Sequence, residues 1–473
     1  MNNIVRIPVA DRIERLPFSK YMTKILVLIA LGAFWDAYML FSVGPISAHF
    51  FSSAGQKQFS TLLPLALFLG TFVGAIGLST LADKVGRRAA FTIDLCILAA
   101  GNLVAAFSSS GVVFLFGLFI AGVGTGAELP LTTTYVQEFA PARTRGRMSS
   151  AALTIGFLGG TVGGFSALIL VPLNHLLIEG FRVALLLAAL GGFSSLLLRR
   201  GLPESPRWLE RVGRVAEADH IMDRIEREII SEKGLATLPA PKFGRLEPTV
   251  AAPSIRVLFS PLYIRRTASA WSIELLQGFG AYGFTTFVPL LLYSRGYSII
   301  HALAFTAIIQ ISYPLGTLVS VWVTDKFQRK WAMACAYTLN LMFGLCFLYS
   351  RDAALVIVFG FLTEAMIFIS GPLLHTYEAE IYPTAIRARG AGISFAFSRL
   401  GGFLAPLVAS ILVANGAGGE WLIAAAAAAW LSCALISAIV AIDTTNVSLE
   451  TLESVGAPLN EVRVTDGELA PRP

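Results

Sequence analysis

Apolar positions along the chain gather into twelve stretches: 24–50, 59–81, 89–107, 112–139, 149–174, 181–198, 266–293, 302–324, 331–349, 354–379, 390–414 and 420–442. Each is close to the ~20 helical residues that a hydrocarbon core of about 30 Å requires. The pattern therefore predicts an all-α membrane protein with twelve transmembrane helices. The connection after the sixth stretch is long and has a different period. Val215, Ala218, Met222, Ile225 and Ile229 recur at spacings of 3, 4, 3 and 4 among Asp, Glu and Arg, which predicts an amphipathic helix lying against the membrane part. Pro239, Pro241, Pro248 and Pro253 follow and read as a flexible linker. The expected organisation is an N-terminal segment 1–23, a six-helix bundle 24–198, a cytoplasmic loop 199–265, a second six-helix bundle 266–442 and a polar, disordered tail 443–473 carrying Glu450, Glu453 and Glu461.

Composition agrees with this division. Of 473 residues 55% are hydrophobic and 14% charged, against roughly 25% charged in soluble domains, which excludes a water-soluble enzyme. Cys96, Cys335, Cys346 and Cys433 stand in apolar stretches without zinc spacing, so they read as small core residues. No nucleotide-binding loop is present in the sequence, so direct use of ATP is not expected, and neither a cofactor nor a metal is called for. The first apolar stretch is too long for a signal-peptide core, and no cleavage is expected.

The Lys and Arg residues decide orientation, because short basic loops stay in the cytoplasm. Placing both termini inside assigns 31 of the 36 to that side and leaves Lys57, Arg182, Arg295 and Arg351 opposite, with Arg399 inside a span. The net charge of +6 is spread between apolar segments, so it sets topology and implies no nucleic-acid partner.

A shift of 242 residues superimposes Asp83 on Asp325, Lys84 on Lys326, Arg87 on Arg329, Thr134 on Thr376, Tyr135 on Tyr377, Glu138 on Glu380, Pro141 on Pro383, Arg145 on Arg387 and Arg147 on Arg389. The halves are thus expected to be parallel repeats about an axis along the membrane normal, with a ligand site near the midplane between them. The repeated residues lie at cytoplasmic helix ends. Positive-inside topology accounts for the bases but not for the paired acids. Asp83, Arg87, Arg88, Glu138, Arg145, Asp325, Arg329, Glu380 and Arg387 are accordingly expected to form a gating network of acid–Arg and acid–helix contacts.

Ser79–Arg88 (S-T-L-A-D-K-V-G-R-R), Glu138–Gly146 with its repeat Glu380–Gly390, and Pro203–Leu209 (P-E-S-P-R-W-L) resemble the signature loops of the major facilitator superfamily, in its sugar-porter-like branch. Ser79 replaces the usual first Gly, and Gln328 replaces the turn Gly of the second copy. The resemblance spans about residues 20–445 and implies the superfamily's two-bundle fold and alternating-access transport.

Ionisable groups near the bilayer centre cost roughly 2.5–3.5 kcal/mol each, so every one is a functional candidate. Asp36 is twelve residues beyond Lys24, about 18 Å along the helix, and is the favoured proton carrier; the bland alternative is an Asp bonded to a nearby Ser, Thr or Tyr. Trp35–Met39 is similar to the first-helix motif of aromatic-acid:proton symporters, with Met39 in place of that motif's second acid. Glu128, within Gly122–Pro130, lies in a stretch that resembles the fourth helix of nicotinate and organic-ion carriers. Leu118 stands where many proton-coupled members carry an Arg, so Arg-assisted deprotonation must use something else. The glycines at spacing two read as close helix packing. Arg399 needs an acid or an anionic ligand; Glu364 on the preceding span is the plain answer, a substrate carboxylate the sharper one. Ser398–Pro406 looks like the eleventh helix of organic cation and anion carriers, where an Arg here is linked to anion handling.

Asp36, Glu128 and Glu364 are thus the proton-coupling candidates, and Arg399, Glu274, Gln277, Trp35, Tyr38, Tyr282 and Gln310 the substrate-binding ones. Several of these serve equally well as helix–helix contacts. Asp94, near a cytoplasmic end, is assigned to the charge network. The function expected is a proton-coupled symporter importing a small organic metabolite, an organic or aromatic acid favoured, working as a monomer in a bacterial inner membrane. Sugar or polyol uptake is the main competitor, although Glu274–Gly278 lacks the paired glutamines of sugar carriers and His375 replaces their Trp after Gly371-Pro372. An efflux antiporter and a non-transporting sensor of the same fold remain as alternatives.

Overall fold

The computed structural model describes residues 7–53, 62–171, 178–240, 255–294, 308–383, 386–415 and 419–445. The outer edges of the predicted stretches at 59–61, 172–174 and 302–307, the linker residues Pro241, Pro248 and Pro253, and the tail after residue 445 lie outside them. Among the described residues all regular structure is helical. The first to sixth spans are Lys20–Ser53, Leu63–Val85, Arg87–Ala106, Gly111–Phe139, Arg145–Leu170 and Gly180–Leu198. The seventh to twelfth are Ile264–Ser294, Ser312–Val323, Arg329–Tyr349, Ala353–Ile381, Arg387–Ala414 and Gly419–Ile439. Nine of the described helices are long and apolar enough to cross a bilayer.

The first span packs on the fifth and sixth, the third on the fourth and sixth, and the second on the fourth. In the second half the seventh packs on the eleventh and twelfth, and the ninth on the tenth and twelfth. The halves meet chiefly where the second span packs on the eleventh and the fifth on the eighth, and the fourth and fifth spans also touch the tenth, as the fourth does the eleventh.

Local chemistry explains the departures from regular helix. The second and third spans meet at Gly86, whose φ of 102° is a conformation that favours glycine; the repeat-equivalent Gln328 has φ −58°, so the second copy turns without it. The fourth span is interrupted between Thr125 and Glu128, where Pro130 removes the N–H that would bond the carbonyl four residues back. A side chain at Gly126 would meet the backbone of Thr71 and Ala75, and one at Gly124 the backbone of Leu98 and Asp94. The glycines therefore bring the fourth span against the second and third.

The amphipathic helix runs Val215–Lys233 and buries Ala218, Met222, Ile225 and Ile229, ending at Gly234 with φ 62°. It packs on a short helix, Val9–Glu14, that sequence periodicity did not predict. Arg12 reaches from that helix to Asp219 (3.4 Å), Asp223 (2.5 Å) and Glu226 (3.0 Å). Burial works against the charge of Arg12, but the Glu226 and Asp223 carboxylates hold its pKa above the usual value. The stretch Pro203–Leu209 fastens the same face: Glu204 accepts the Arg87 N–H at 2.9 Å, and Trp208 Nε1 donates to the Asp83 carbonyl at 3.1 Å.

Candidate functional site

At one end of the paired bundles the two repeats build the same cluster twice. Arg87 binds Asp83 (2.8 Å) and Glu138 (2.9 Å) and donates to the Ala82 carbonyl (2.8 Å). Arg329 binds Asp325 (3.4 Å) and Glu380 (2.7 Å) and donates to the Thr324 carbonyl (2.9 Å). The clusters are then joined across the halves. Arg145 meets Glu380 at 2.8 Å and Arg387 approaches Glu138 at 3.7 Å. Asp325 accepts the backbone N–H groups of Gly146 (3.1 Å) and Arg147 (2.7 Å), and Asp83 accepts that of Arg389 (2.9 Å). Each carboxylate thus neutralises an Arg and caps the first turn of a helix from the other half. Burial pushes the Asp325 carboxyl up, against the pull of Arg329. Arg88 departs from the expectation: it is exposed, and its guanidinium donates to the Arg200 carbonyl at 2.9 Å. As the neighbour of Arg87 on a helix it points about 100° away from the cluster.

Deeper in the first half, Glu128 is bound by Arg199 at 2.5 Å. Arg199 also donates to the Leu28 carbonyl at 3.2 Å and to that of Ile29, and lies 4.4 Å from the Phe91 ring. Asp94 faces Glu128 and Arg199 and so belongs here rather than to the charge clusters at the helix ends. The pair fills the slot left by Gly32, where a side chain would collide with both. In the sequence Arg199 stands one residue past an apolar stretch, at the start of the basic loop 199–265, with no sign that it turns back inward. Asp36, one turn beyond Gly32, is buried, its Oδ1 lacks a hydrogen-bond partner among the described residues, and it lies within electrostatic reach of Glu128 and Arg399.

A cavity of about 80 Å³ lies between the halves. Leu40, Phe41, Leu129 and Phe157 line it from the first half, and Gln277, Tyr282, Glu364, Phe368, His375, Phe395 and Arg399 from the second. Arg399 is 1% exposed, donates to the Tyr282 hydroxyl, and places its guanidinium carbon 4.3 Å from the centre of the Phe395 ring. Asp36 and Glu274 both act on its charge. Gln277 accepts the Tyr337 hydroxyl. Behind the cavity wall His375 Nδ1 sits 3.3 Å from Glu274 and 3.4 Å from Glu378.

Of the seven substrate-binding candidates Arg399, Gln277 and Tyr282 line this cavity, whereas Glu274, which lies behind it against His375, and Trp35, Tyr38 and Gln310 do not. Trp35 lies against Gly191, and Tyr38 accepts a hydrogen bond from Ser166 at 2.7 Å and donates to the Ala184 carbonyl at 3.4 Å, so both face the interior of the first bundle. Three residues apart, they share a helix face that looks towards the fifth and sixth spans, whereas Leu40 and Phe41 face the cavity. Gln310 is set against Gly164 on the fifth span, its carbonyl bonded by Thr161 at 3.3 Å, and works as a contact between the halves.

The paired-bundle fold that carries these crossed charge clusters has known counterparts. A family profile described as "Sugar (and other) transporter" matches residues 27–455. The chain belongs to this family of the major facilitator superfamily. It is similar to a metabolite transport protein of Bacillus subtilis, YyaJ, with 30% identity over 87% of this chain and 92% of the relative. It is also similar to the niacin transporter NiaP of Acinetobacter baylyi, with 27% identity over 94% of this chain and 99% of the relative. Among solved structures, the proton:xylose symporter XylE bound to 6-bromo-6-deoxy-D-glucose superposes with a TM-score of 0.74 and 18% identity, covering 92% of this chain and 99% of that one. The fold is therefore the superfamily's twelve-helix fold, and the chain is a multi-pass membrane transporter, not an enzyme.

Proposed function

We propose that this transporter is a proton-coupled symporter that imports a small organic acid, with Arg399 receiving the carboxylate. The observation that carries the reading is Arg399 itself, a permanently charged group buried at a cavity between the halves and flanked by Phe395 and Tyr282. A planar guanidinium offers a carboxylate two parallel hydrogen bonds, and the aromatic walls suit an unsaturated ring. The similarity to a niacin transporter, niacin being a pyridine carboxylate, supports the same class. Asp36, within reach of Arg399, is the proton carrier in this reading: an anion that occupies the guanidinium leaves Asp36 uncompensated, so anion and proton bind together. The crossed pairs Arg145–Glu380 and Arg387–Glu138 hold the cytoplasmic side shut while the cavity loads from outside, and they separate for release. The monomer is the working unit, with both termini in the cytoplasm of a bacterial inner membrane.

Uptake of radiolabelled nicotinate into vesicles tests this. Accumulation should follow an imposed inward proton gradient, collapse with a protonophore and be absent from empty-vector vesicles. No accumulation of nicotinate or of other aromatic and hydroxy acids would remove the organic-acid reading.

A further inference from the structure

Among the described residues Glu274, a substrate-binding candidate from the sequence, joins His375 and Glu378 in a buried and poorly compensated polar cluster. Glu274 comes from the seventh span and the other two from the tenth. All three are buried, and one ligating atom from each lies within 4.8 Å of the others. Glu274 Oε2 and Glu378 Oε1 lack a hydrogen-bond partner among the described residues, and Glu274 Oε1 has the His375 Nδ1 contact at 3.3 Å. His375 also lines the central cavity, so the cluster adjoins it. With His375 charged the group carries one excess negative charge, and with it neutral, two.

The groups that face the cluster do little to cancel this. Tyr337 on the ninth span, Tyr377 and Tyr382 at the end of the tenth, and Cys433 on the twelfth act on its carboxylates, and phenols and thiols in apolar surroundings are neutral near pH 7. Arg399 on the eleventh span acts on Glu274, but it also acts on Asp36, and one guanidinium neutralises one of the two. The repeat makes the contrast sharper. At the 242-residue offset Glu274 falls on Gly32, His375 on Thr133 and Glu378 on Val136, so the first half has no copy of the cluster. Its Gly32 slot is filled by Glu128 with Arg199, a base that never gives up its proton. The second half has an imidazole there, which does.

We propose that Glu274, His375 and Glu378 form a second proton-holding site, in the C-terminal half, coupled through Arg399 to occupation of the cavity. The coupling rests on the organic-acid reading above; the proton site does not. In the empty cavity Arg399 compensates one of Asp36 and Glu274, and a proton the other. A substrate carboxylate that takes the guanidinium uncovers the acid that Arg399 had compensated, and one further proton passes from cavity water onto a carboxylate oxygen, so that Asp36 and the cluster each hold one. The balance is one additional proton for each anion bound, with no other bond made or broken.

The test uses purified full-length protein without substrate, followed by infrared spectroscopy of the protonated-carboxyl C=O stretch across a pH titration. Two bands are expected, one lost in Asp36→Asn and the other in Glu274→Gln and in Glu378→Gln. His375→Gln should displace the midpoint of the second band, and Glu274→Asp should retain that band. Size-exclusion profiles identify any variant that fails to fold. A single band that depends on Asp36 alone overturns the proposal. So does one equivalent of a transition metal in the purified protein, by elemental analysis, that is lost in His375→Gln. If the second band is present but neither nicotinate nor the other aromatic and hydroxy acids are accumulated, the proton site stands and the organic-acid reading falls. If nicotinate accumulates and the second band is absent, coupling belongs to Asp36 alone and the proposal is lost.

Discussion

Replacing Glu380 by Gln should open the cytoplasmic side by a calculable amount. Glu380 is buried and meets Arg329 at 2.7 Å and Arg145 at 2.8 Å. Arg329 belongs to the same half and stays beside it in either conformation. Arg145 comes from the other half and reaches Glu380 when the cytoplasmic ends are together, so its share of the loss falls on the closed state. Truncating one partner of a buried, hydrogen-bonded charge pair costs about 2–5 kcal/mol. The lower end, about 2 kcal/mol, applies here, because the Gln carbonyl still accepts the Arg145 Nε–H. At 1.4 kcal/mol per tenfold the closed-to-open ratio falls ~30-fold. A protein about 99% closed then shows an open population of about one in four instead of about one in a hundred. Spin labels at Lys84→Cys and Lys326→Cys, exposed and equivalent positions of the two halves, read this as a second, longer distance in a background without the four native cysteines. An unchanged distance distribution in a monodisperse Glu380→Gln protein refutes the argument that this pair holds the halves together.

Three further outcomes follow from the same geometry. Arg399→Gln should raise the KM for the transported acid by about 10- to 150-fold, the value of a hydrogen bond to a charged group of about 1.5–3 kcal/mol, and Arg399→Lys should recover only part of it in the vesicle uptake assay. Arg199→Gln strands Glu128 beside Asp94 and should cost about 3–5 kcal/mol, seen as a lower Tm, with much of the loss recovered in Arg199→Gln/Glu128→Gln. Closure of the cytoplasmic side buries Asp325 and raises its carboxyl above the solvent value, so proton uptake accompanies closure. Acidification through the carboxylate range should therefore reduce the long spin-label distance, and Asp325→Asn should remove that component of the pH dependence.

The membrane fold was legible because apolar runs of bilayer length leave little choice of structure. The charge clusters at the helix ends were legible through the repeat: two halves that must meet the same chemical requirement carry it at the same offset, so Asp83 pointed to Asp325 and Glu138 to Glu380. Faces inside a span were not legible. A helix in a bilayer is apolar towards lipid and towards its neighbours alike, so Trp35 and Tyr38 looked as suitable for the cavity as Leu40 and Phe41. Arg199 was hidden among bases that set topology. Glu378 was masked by Glu380 two residues on, although the repeat held a clue. The partner of Glu380 is Glu138, while Glu378 falls opposite Val136, so one acid of the Glu378-Ala379-Glu380 stretch has no counterpart in the other half and calls for a separate explanation.

The contact between Arg12 and the acids of the amphipathic helix also bears on biosynthesis. It joins residues 207 to 214 positions apart. At about 5–20 residues per second, Arg12 waits on the order of 10–40 s after leaving the ribosome before Asp219, Asp223 and Glu226 are made. During that interval the first helices enter the bilayer with this end of the bundle unfastened. Once Glu226 has emerged, the first bundle can be secured by its own N-terminus while the second is still being translated, so a nascent chain arrested before this point carries six inserted helices and no clasp.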